Sequence, residues 1–208
     1  MILTDTYIRR ALEPYGVVAS PEICDAVLKY CALLVQWNQK ISLTAVRDPE
    51  QILRFHFGES IFAAAAVPIR GGRLADVGSG AGFPGLPLRI AVSGLSVTLI
   101  ESNAKKATFL SEVIRELRLD HCDVFRGRME SYPVDNGGRF DFIAARALGQ
   151  HDRMLKWARE KLSPSGKVVL WLGEEDAAEI SQAAGWSWGP PILIPGSDRR
   201  VLLVGSGS

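Results

Sequence analysis

Three glycines at alternate positions, Gly78, Gly80 and Gly82, follow the apolar run Leu74–Val77 and precede a helical stretch opening near Gly85. Nothing else constrains the fold of this chain as tightly. Glycines between a strand and a helix let the backbone turn sharply and approach a ligand without Cβ interference. A plain turn needs fewer, so the spacing predicts a ligand-binding loop.

The ligand is narrowed by the loop's neighbours. Gly80-x-Gly82-x-x-Gly85 matches the dinucleotide fingerprint, with Glu101 near the expected place of a ribose-binding acid. A pyrophosphate, however, relies on free N–H groups at the helix start, and Pro84 and Pro87 remove two of them. Asp76, at the end of the preceding strand, is unwelcome beside a pyrophosphate. It suits the ammonium and sulfonium charges of S-adenosylmethionine. Glu101 can accept from both ribose hydroxyls. The expected cofactor is therefore S-adenosylmethionine, held by Asp76, Gly78, Ser79, Gly80 and Glu101, with Met129 and Glu130 of the segment Gly127–Glu130 flanking the adenine. Arg146, after the fourth strand, would stand where cofactor and acceptor meet.

The periodicity divides the chain near residue 70. From Thr4 to Val67 apolar residues recur at helical spacing, with Ser20-Pro21-Glu22 and Asp48-Pro49-Glu50 as helix starts. From Arg73 onward Leu74–Val77, Val97–Ile100, Val124–Phe125, Phe140–Ala144, Val168–Leu172 and Val201–Val204 read as strands. Asn103–Leu117, Gln150–Leu162 and Glu174–Ala184 read as helices between them. That alternation predicts an α/β fold, a Rossmann-like, mostly parallel, doubly wound sheet. Prolines at 190, 191 and 195 leave no room for a helix before the last run, so a hairpin would add an antiparallel C-terminal strand. The expected organisation is a helical extension, residues 1–70, before a cofactor-binding domain, residues 71–208. The terminal Gly205–Ser208 is expected to fray.

Composition excludes some classes. A net charge of +1 over 208 residues means that any nucleic-acid contact must be a local patch. Cys24 and Cys31 lie two helical turns apart and Cys122 stands alone, a pattern of reduced structural thiols with no metal spacing. No basic region followed by a long apolar run opens the chain, and the longest apolar stretch, Ile61–Ile69, is too short to span a bilayer. The expectation is a cytoplasmic protein without membrane or metal.

Read in order, several segments resemble the bacterial 16S (small-subunit) ribosomal RNA guanine-N7 methyltransferases, also called the glucose-inhibited division protein B family. They are Trp37-Asn38 with Leu43-Thr44, Arg54-x-His56-x-x-Glu59-Ser60, Asp76 through Leu88, Lys105-Lys106-x-x-Phe109-Leu110, Arg128-Met129-Glu130, Ala145-Arg146-Ala147 and Arg199-Arg200-Val201. The resemblance covers nearly the whole chain. It implies a class I methyltransferase domain acting on one guanine of 16S rRNA, within the 30S subunit or a precursor, as a monomer. Carried over by position, Gly78, Phe83, Met129, Glu130 and Arg146 would contact the cofactor, and His56, Glu59 and Ser60 would lie near the acceptor entrance. Three positions depart from the family pattern: Ser42 where Asn is usual, Glu59 where Asp is usual, and Leu172 in place of a Lys.

The chemistry agrees. Guanine N7 carries a lone pair and no proton, so direct displacement at a sulfonium methyl needs alignment, with no general base or covalent enzyme intermediate. No Asn/Asp-Pro-Pro-aromatic tetrad suggests amine methylation, and no loop cysteine suggests pyrimidine C5 chemistry. Lys105, Lys106, Arg128, Arg199 and Arg200 are the RNA candidates. Trp186 and Trp188 could offer a stacking face. His56 between Phe55 and Phe57 also reads as an ordinary core histidine. Two other classes stay open: a small-molecule or protein methyltransferase with the extension as a lid, and a dinucleotide-binding oxidoreductase.

Overall fold

The computed structural model describes residues 3–133 and 138–207. Helix α1 (Asp5–Leu12) is capped by the Thr4 side chain and α2 (Pro21–Asn38) by Ser20, with Pro21 at the first helical position. Asp48 caps α3 (Pro49–Gln51), which runs through a π-helical segment, Ile52–Gly58, into α4 (Glu59–Ala66). Between α2 and α3, residues 39–48 are not helical. The Asn38 amide organises them, accepting from Leu43 and Thr44 N–H and donating to the Thr44 carbonyl.

Beyond residue 70 strands and helices alternate: β1 (Gly72–Val77), α5 (Gly85–Ala91), β2 (Leu95–Glu101), α6 (Ala104–Leu117), β3 (Cys122–Arg126), β4 (Phe140–Arg146), α7 (His151–Lys161), β5 (Leu162–Gly173) and α8 (Glu174–Ile180). Three further strands follow: β6 (Trp186–Trp188), β7 (Ile192–Leu193) and β8 (Arg200–Gly207). The sheet order is β3-β2-β1-β4-β5-β8-β6, with β7 also paired to β8. The first five strands are parallel and β8 runs antiparallel to β5. Every strand expected from the sequence is present, and the C-terminal hairpin is β7–β8.

Side-chain alternation along the strands sorts the core onto two faces. Leu74, Ala144, Val169 and Trp171 face a cluster that includes Leu12, Tyr30, Leu34 and Phe57 of the N-terminal helices. Their neighbours Ala75, Ala145, Val168 and Leu170 face α7 and α8 through Met154, Trp157 and Ile180. The helical extension thus shares one hydrophobic cluster with the sheet.

Two expectations change. Gly205–Gly207 do not fray: they pair in β8 against β5 and β6, while Ser208 lies outside the described residues. Trp186 is buried and stacks on Trp188 at 5.6 Å within β6, so this pair packs on the sheet edge. The cysteines meet expectation: all three are buried free thiols, with Cys122 the first residue of β3.

Candidate functional site

Parallel strands direct their carboxyl ends to one side of a sheet, and ligand crevices form there. Here that side carries Asp76 and Val77 of β1, Glu101 of β2, Arg126 of β3, Arg146 of β4 and Gly173 of β5. The loop after β1 adopts left-handed backbone at Gly78, Gly80 and Gly82, with φ of +72°, +57° and +90°, a conformation only glycine takes readily.

The loop consumes most of its own donors. Gly78 and Ser79 N–H donate to the Ile100 carbonyl, Gly82 and Phe83 N–H to Ser79, and Leu86 N–H to Gly82. Gly80 N–H donates to Glu101 Oε2 and Gly85 N–H to Asp76 Oδ2, each at 2.9 Å. With Pro84 and Pro87 lacking N–H, the start of α5 has little to offer a phosphate.

Asp76 is fully enclosed behind this loop, and its Oδ1 has no hydrogen-bond partner among the described residues. Burial pushes its carboxyl up to about 7, against the opposing bond from Gly85. Glu101 is also buried, and its Oε1 accepts from Asn103 N–H at 2.7 Å. Both carboxylates therefore brace the loop from behind. Ser79 is buried with its hydroxyl on the Asp76 carbonyl, and Gly80 is half-buried.

In front of the loop lies a cleft of about 410 Å³ lined by Gly78, Ile100, Ser102, Met129, Leu148 and others. Arg128 and Glu130 stand at its exposed rim, and Glu130 is ion-paired to Arg153 at 2.6 Å. Ser102 and Leu148 were not singled out from the sequence. Ala147, beside Leu148, sits at φ +53°, a costly conformation for a residue bearing a Cβ.

A second cleft of about 570 Å³ adjoins the first, sharing Leu148 and Gly149. Glu59, Arg146, Trp171, Leu172, Ile194 and Arg200 are among its walls. Glu59, buried at the start of α4, joins three distant elements. Arg146 Nη2 reaches Oε2 at 3.0 Å, Arg200 Nη2 reaches Oε1 at 2.7 Å, and Trp171 Nε1 donates to the backbone carbonyl at 2.7 Å. Burial raises the Glu59 carboxyl, against the opposing charges of Arg146 and Arg200. Arg146 Nη1 is buried without a partner among the described residues.

The π-helical segment presents Arg54, Phe55 and His56; such bulges recur at functional sites. Phe83 is sandwiched between His56 (4.7 Å) and Tyr30 (5.3 Å). His56 Nε2 lies 2.7 Å from Thr44 Oγ1, and Nδ1 has no partner among the described residues. Burial, aided by the Arg146 charge, lowers its pKa to about 4. It is a neutral ring at ordinary pH, and Ser60 donates to its backbone carbonyl at 2.5 Å. Among the RNA candidates, Lys105 is exposed and Lys106 half-buried at the start of α6, whose first N–H groups Asn103 caps. Arg199 is exposed and Arg200 half-buried on the opposite flank of the clefts. Among the described residues no group of His, Cys, Asp and Glu could hold a metal, and no helix is long and apolar enough to cross a membrane.

Comparison with known proteins places this arrangement among methyltransferases. The family model GidB, described as rRNA small subunit methyltransferase G, matches residues 23–185. The ribosomal RNA small subunit methyltransferase G of Stenotrophomonas maltophilia (strain K279a) is 39% identical over 202 residues, covering 95% of this chain and 92% of its own. Among solved structures, an S-adenosylmethionine-dependent methyltransferase from Aquifex aeolicus superposes with a TM-score of 0.62 at 17% identity, covering 76% of this chain and 93% of its own. The glycopeptide N-methyltransferase MtfA, complexed with S-adenosyl-L-methionine, gives 0.60 at 17% identity over 72% of this chain and 93% of its own. These two likenesses establish the Rossmann-like methyltransferase fold.

Proposed function

This chain belongs to the GidB family, the rRNA small subunit methyltransferases G, and from that membership we propose that it methylates N7 of one guanine in 16S rRNA, using S-adenosylmethionine. The observation that carries the cofactor is the loop whose N–H groups are spent internally with a carboxyl behind them. Such a loop disfavours a diphosphate and accepts a ligand whose charge near it is positive.

The residues present fit that group. Gly78 lets the ligand approach the backbone, while Ile100, Met129 and Leu148 offer apolar surface for an adenine. Glu101 retains lone pairs beyond its two backbone bonds, and these would face the ribose hydroxyls. When bound, S-adenosylmethionine supplies an activated methyl group. The chain's own task is alignment. Leu148 and Gly149 border both clefts, and Arg146, fixed by Glu59, stands in the wall of the second. Its unpartnered Nη1 would donate to an acceptor oxygen such as guanine O6, leaving N7 open. His56, held neutral by burial, acts as packing for Phe83 and not as a base. Leu172 lines the acceptor cleft where the family commonly carries Lys, so one charged contact is replaced by apolar surface.

We further read residues 1–70 as an extension that walls the acceptor side, and the enzyme as a cytoplasmic monomer acting on the 30S subunit or a precursor. Lys105, Lys106, Arg128, Arg199 and Arg200 would meet phosphates around the clefts. Nucleoside mass analysis of 16S rRNA from cells with and without the gene tests the proposal. Loss of a single 7-methylguanosine supports it, and an unchanged nucleoside profile refutes it. Titration calorimetry should detect S-adenosylhomocysteine binding and no comparable NAD binding.

A further inference from the structure

The turn between β7 and β8 separates two openings. Ile194 lines the acceptor cleft, whereas the next residues, Pro195 and Gly196, line a groove of about 400 Å³ against the N-terminal extension. Its other walls include Tyr7, Arg10, Glu50 and Arg54, with Tyr15 nearly buried at its floor. The turn is fixed by Ile194 N–H on the Arg200 carbonyl and by Ser197, whose hydroxyl accepts from Arg200 N–H at 2.9 Å. The Arg200 guanidinium leaves the acceptor cleft over the Phe55 ring, 4.8 Å from its centroid and next in sequence to Arg54. The two openings are thus neighbours across one rigid turn.

Resting on the rRNA reading above, we propose that this groove receives one unstacked RNA base from a nucleotide flanking the acceptor guanine. Unpaired RNA is read by splaying bases onto aromatic rings and guanidinium planes. Tyr7 provides the ring, and Arg10 and Arg54 are exposed cations at the rim. Glu50, beside Tyr7 in the groove wall, repels a phosphate inside the groove but accepts from the N–H edge of a base. The base therefore enters and its phosphates stay outside, near Arg10 and Arg54. Holding a second nucleotide fixes the strand relative to the acceptor cleft and supplies sequence context that a single guanine lacks.

The test measures steady-state methylation of 30S subunits from a strain lacking the enzyme, beside S-adenosylhomocysteine affinity. Tyr7→Ala should raise KM for the subunits about tenfold, the loss expected for one stacked base. Tyr7→Phe should behave as wild type, and cofactor affinity should not change. Arg10→Ala, at an exposed position away from the core, should raise KM and lower the salt dependence of binding. Wild-type KM in both Tyr7→Ala and Arg10→Ala overturns the groove assignment while leaving the rRNA reading intact. Failure of the wild-type protein to label rRNA overturns both. With p-benzoylphenylalanine in place of Tyr7, a crosslink to rRNA supports the proposal, and one to ribosomal protein alone contradicts it.

Discussion

The hydroxyl of Tyr30, on α2, donates to the backbone carbonyl of Ala81 in the glycine loop, while its ring stacks parallel on Phe83 at 5.3 Å. Residues 1–70 are thereby tied to the glycine loop at its most glycine-rich point. Tyr30→Phe keeps the stack and leaves the Ala81 carbonyl without its buried donor. We expect a loss of about 1–3 kcal/mol in stability, read by chemical denaturation, together with weaker S-adenosylhomocysteine binding in calorimetry. Unaltered binding would show that α2 does not set the loop.

The loop glycines should differ in their tolerance of a side chain. A Cβ on Gly82 would stand 2.3 Å from the Tyr30 hydroxyl and 2.5 Å from Leu86, at φ +90°, whereas one on Gly80 meets nothing closer than 3.7 Å. Gly80→Ala should therefore cost about 1 kcal/mol from its left-handed backbone alone. Gly82→Ala adds overpacking of roughly 1–3 kcal/mol. Thermal unfolding of the two variants would rank them, and equal losses would contradict the packing described.

How much of this the sequence made legible depended on range. Strands such as Val168–Leu172 announce themselves through continuous apolar runs, and the Ser20, Asp48 and Asn103 caps mark helix starts locally. β6 was missed because three residues between Gly185 and Gly189 leave no period to read. Tyr30 lies at helical spacing with Ile23, Val27 and Leu34 and carries no further mark in the sequence. The enclosure of Asp76 depends on the backbone N–H of Gly85, which no side-chain pattern reveals. Glu59, Arg146 and Arg200 come from α4, β4 and β8, and only the fold brings them together. Ser102 and Leu148 line the cleft in front of the glycine loop by position, since neither carries distinctive chemistry, and a left-handed Ala147 leaves no trace in composition.

Two buried groups pull stability in opposite directions with pH. His56, lowered to about 4 from 6.5, favours the folded state above pH 6.5 and loses that contribution as pH falls through 4. Asp76, raised to about 7 from 3.8, favours the folded state at low pH and loses that contribution as pH rises through 7. The two slopes oppose each other across the same window. Asp76→Asn should leave a net rise in stability between about pH 4 and pH 6.5, measured by denaturant titration at several pH values. His56→Gln should leave a net fall across the same window. Parallel curves for all three proteins would contradict these environments.

Glu59→Gln removes the charge that Arg146 and Arg200 share. Breaking a buried ion pair from one side costs about 3–5 kcal/mol, and the half-exposed Arg200 places the expected loss near the lower end. Glu59→Asp keeps the charge and should retain more of the stability and activity, which denaturation and methylation assays together would show. Equal behaviour of the two variants would mean that the carboxylate does not organise the acceptor cleft.

The central claim is methyl transfer to a guanine of small-subunit rRNA. Incubation of the protein with methyl-tritiated S-adenosylmethionine and 30S subunits from a strain lacking the enzyme, followed by nucleoside separation, tests it most directly. The account predicts label in 16S rRNA recovered as 7-methylguanosine at one position. Label recovered in ribosomal protein, in a small solute or in another nucleoside would contradict it.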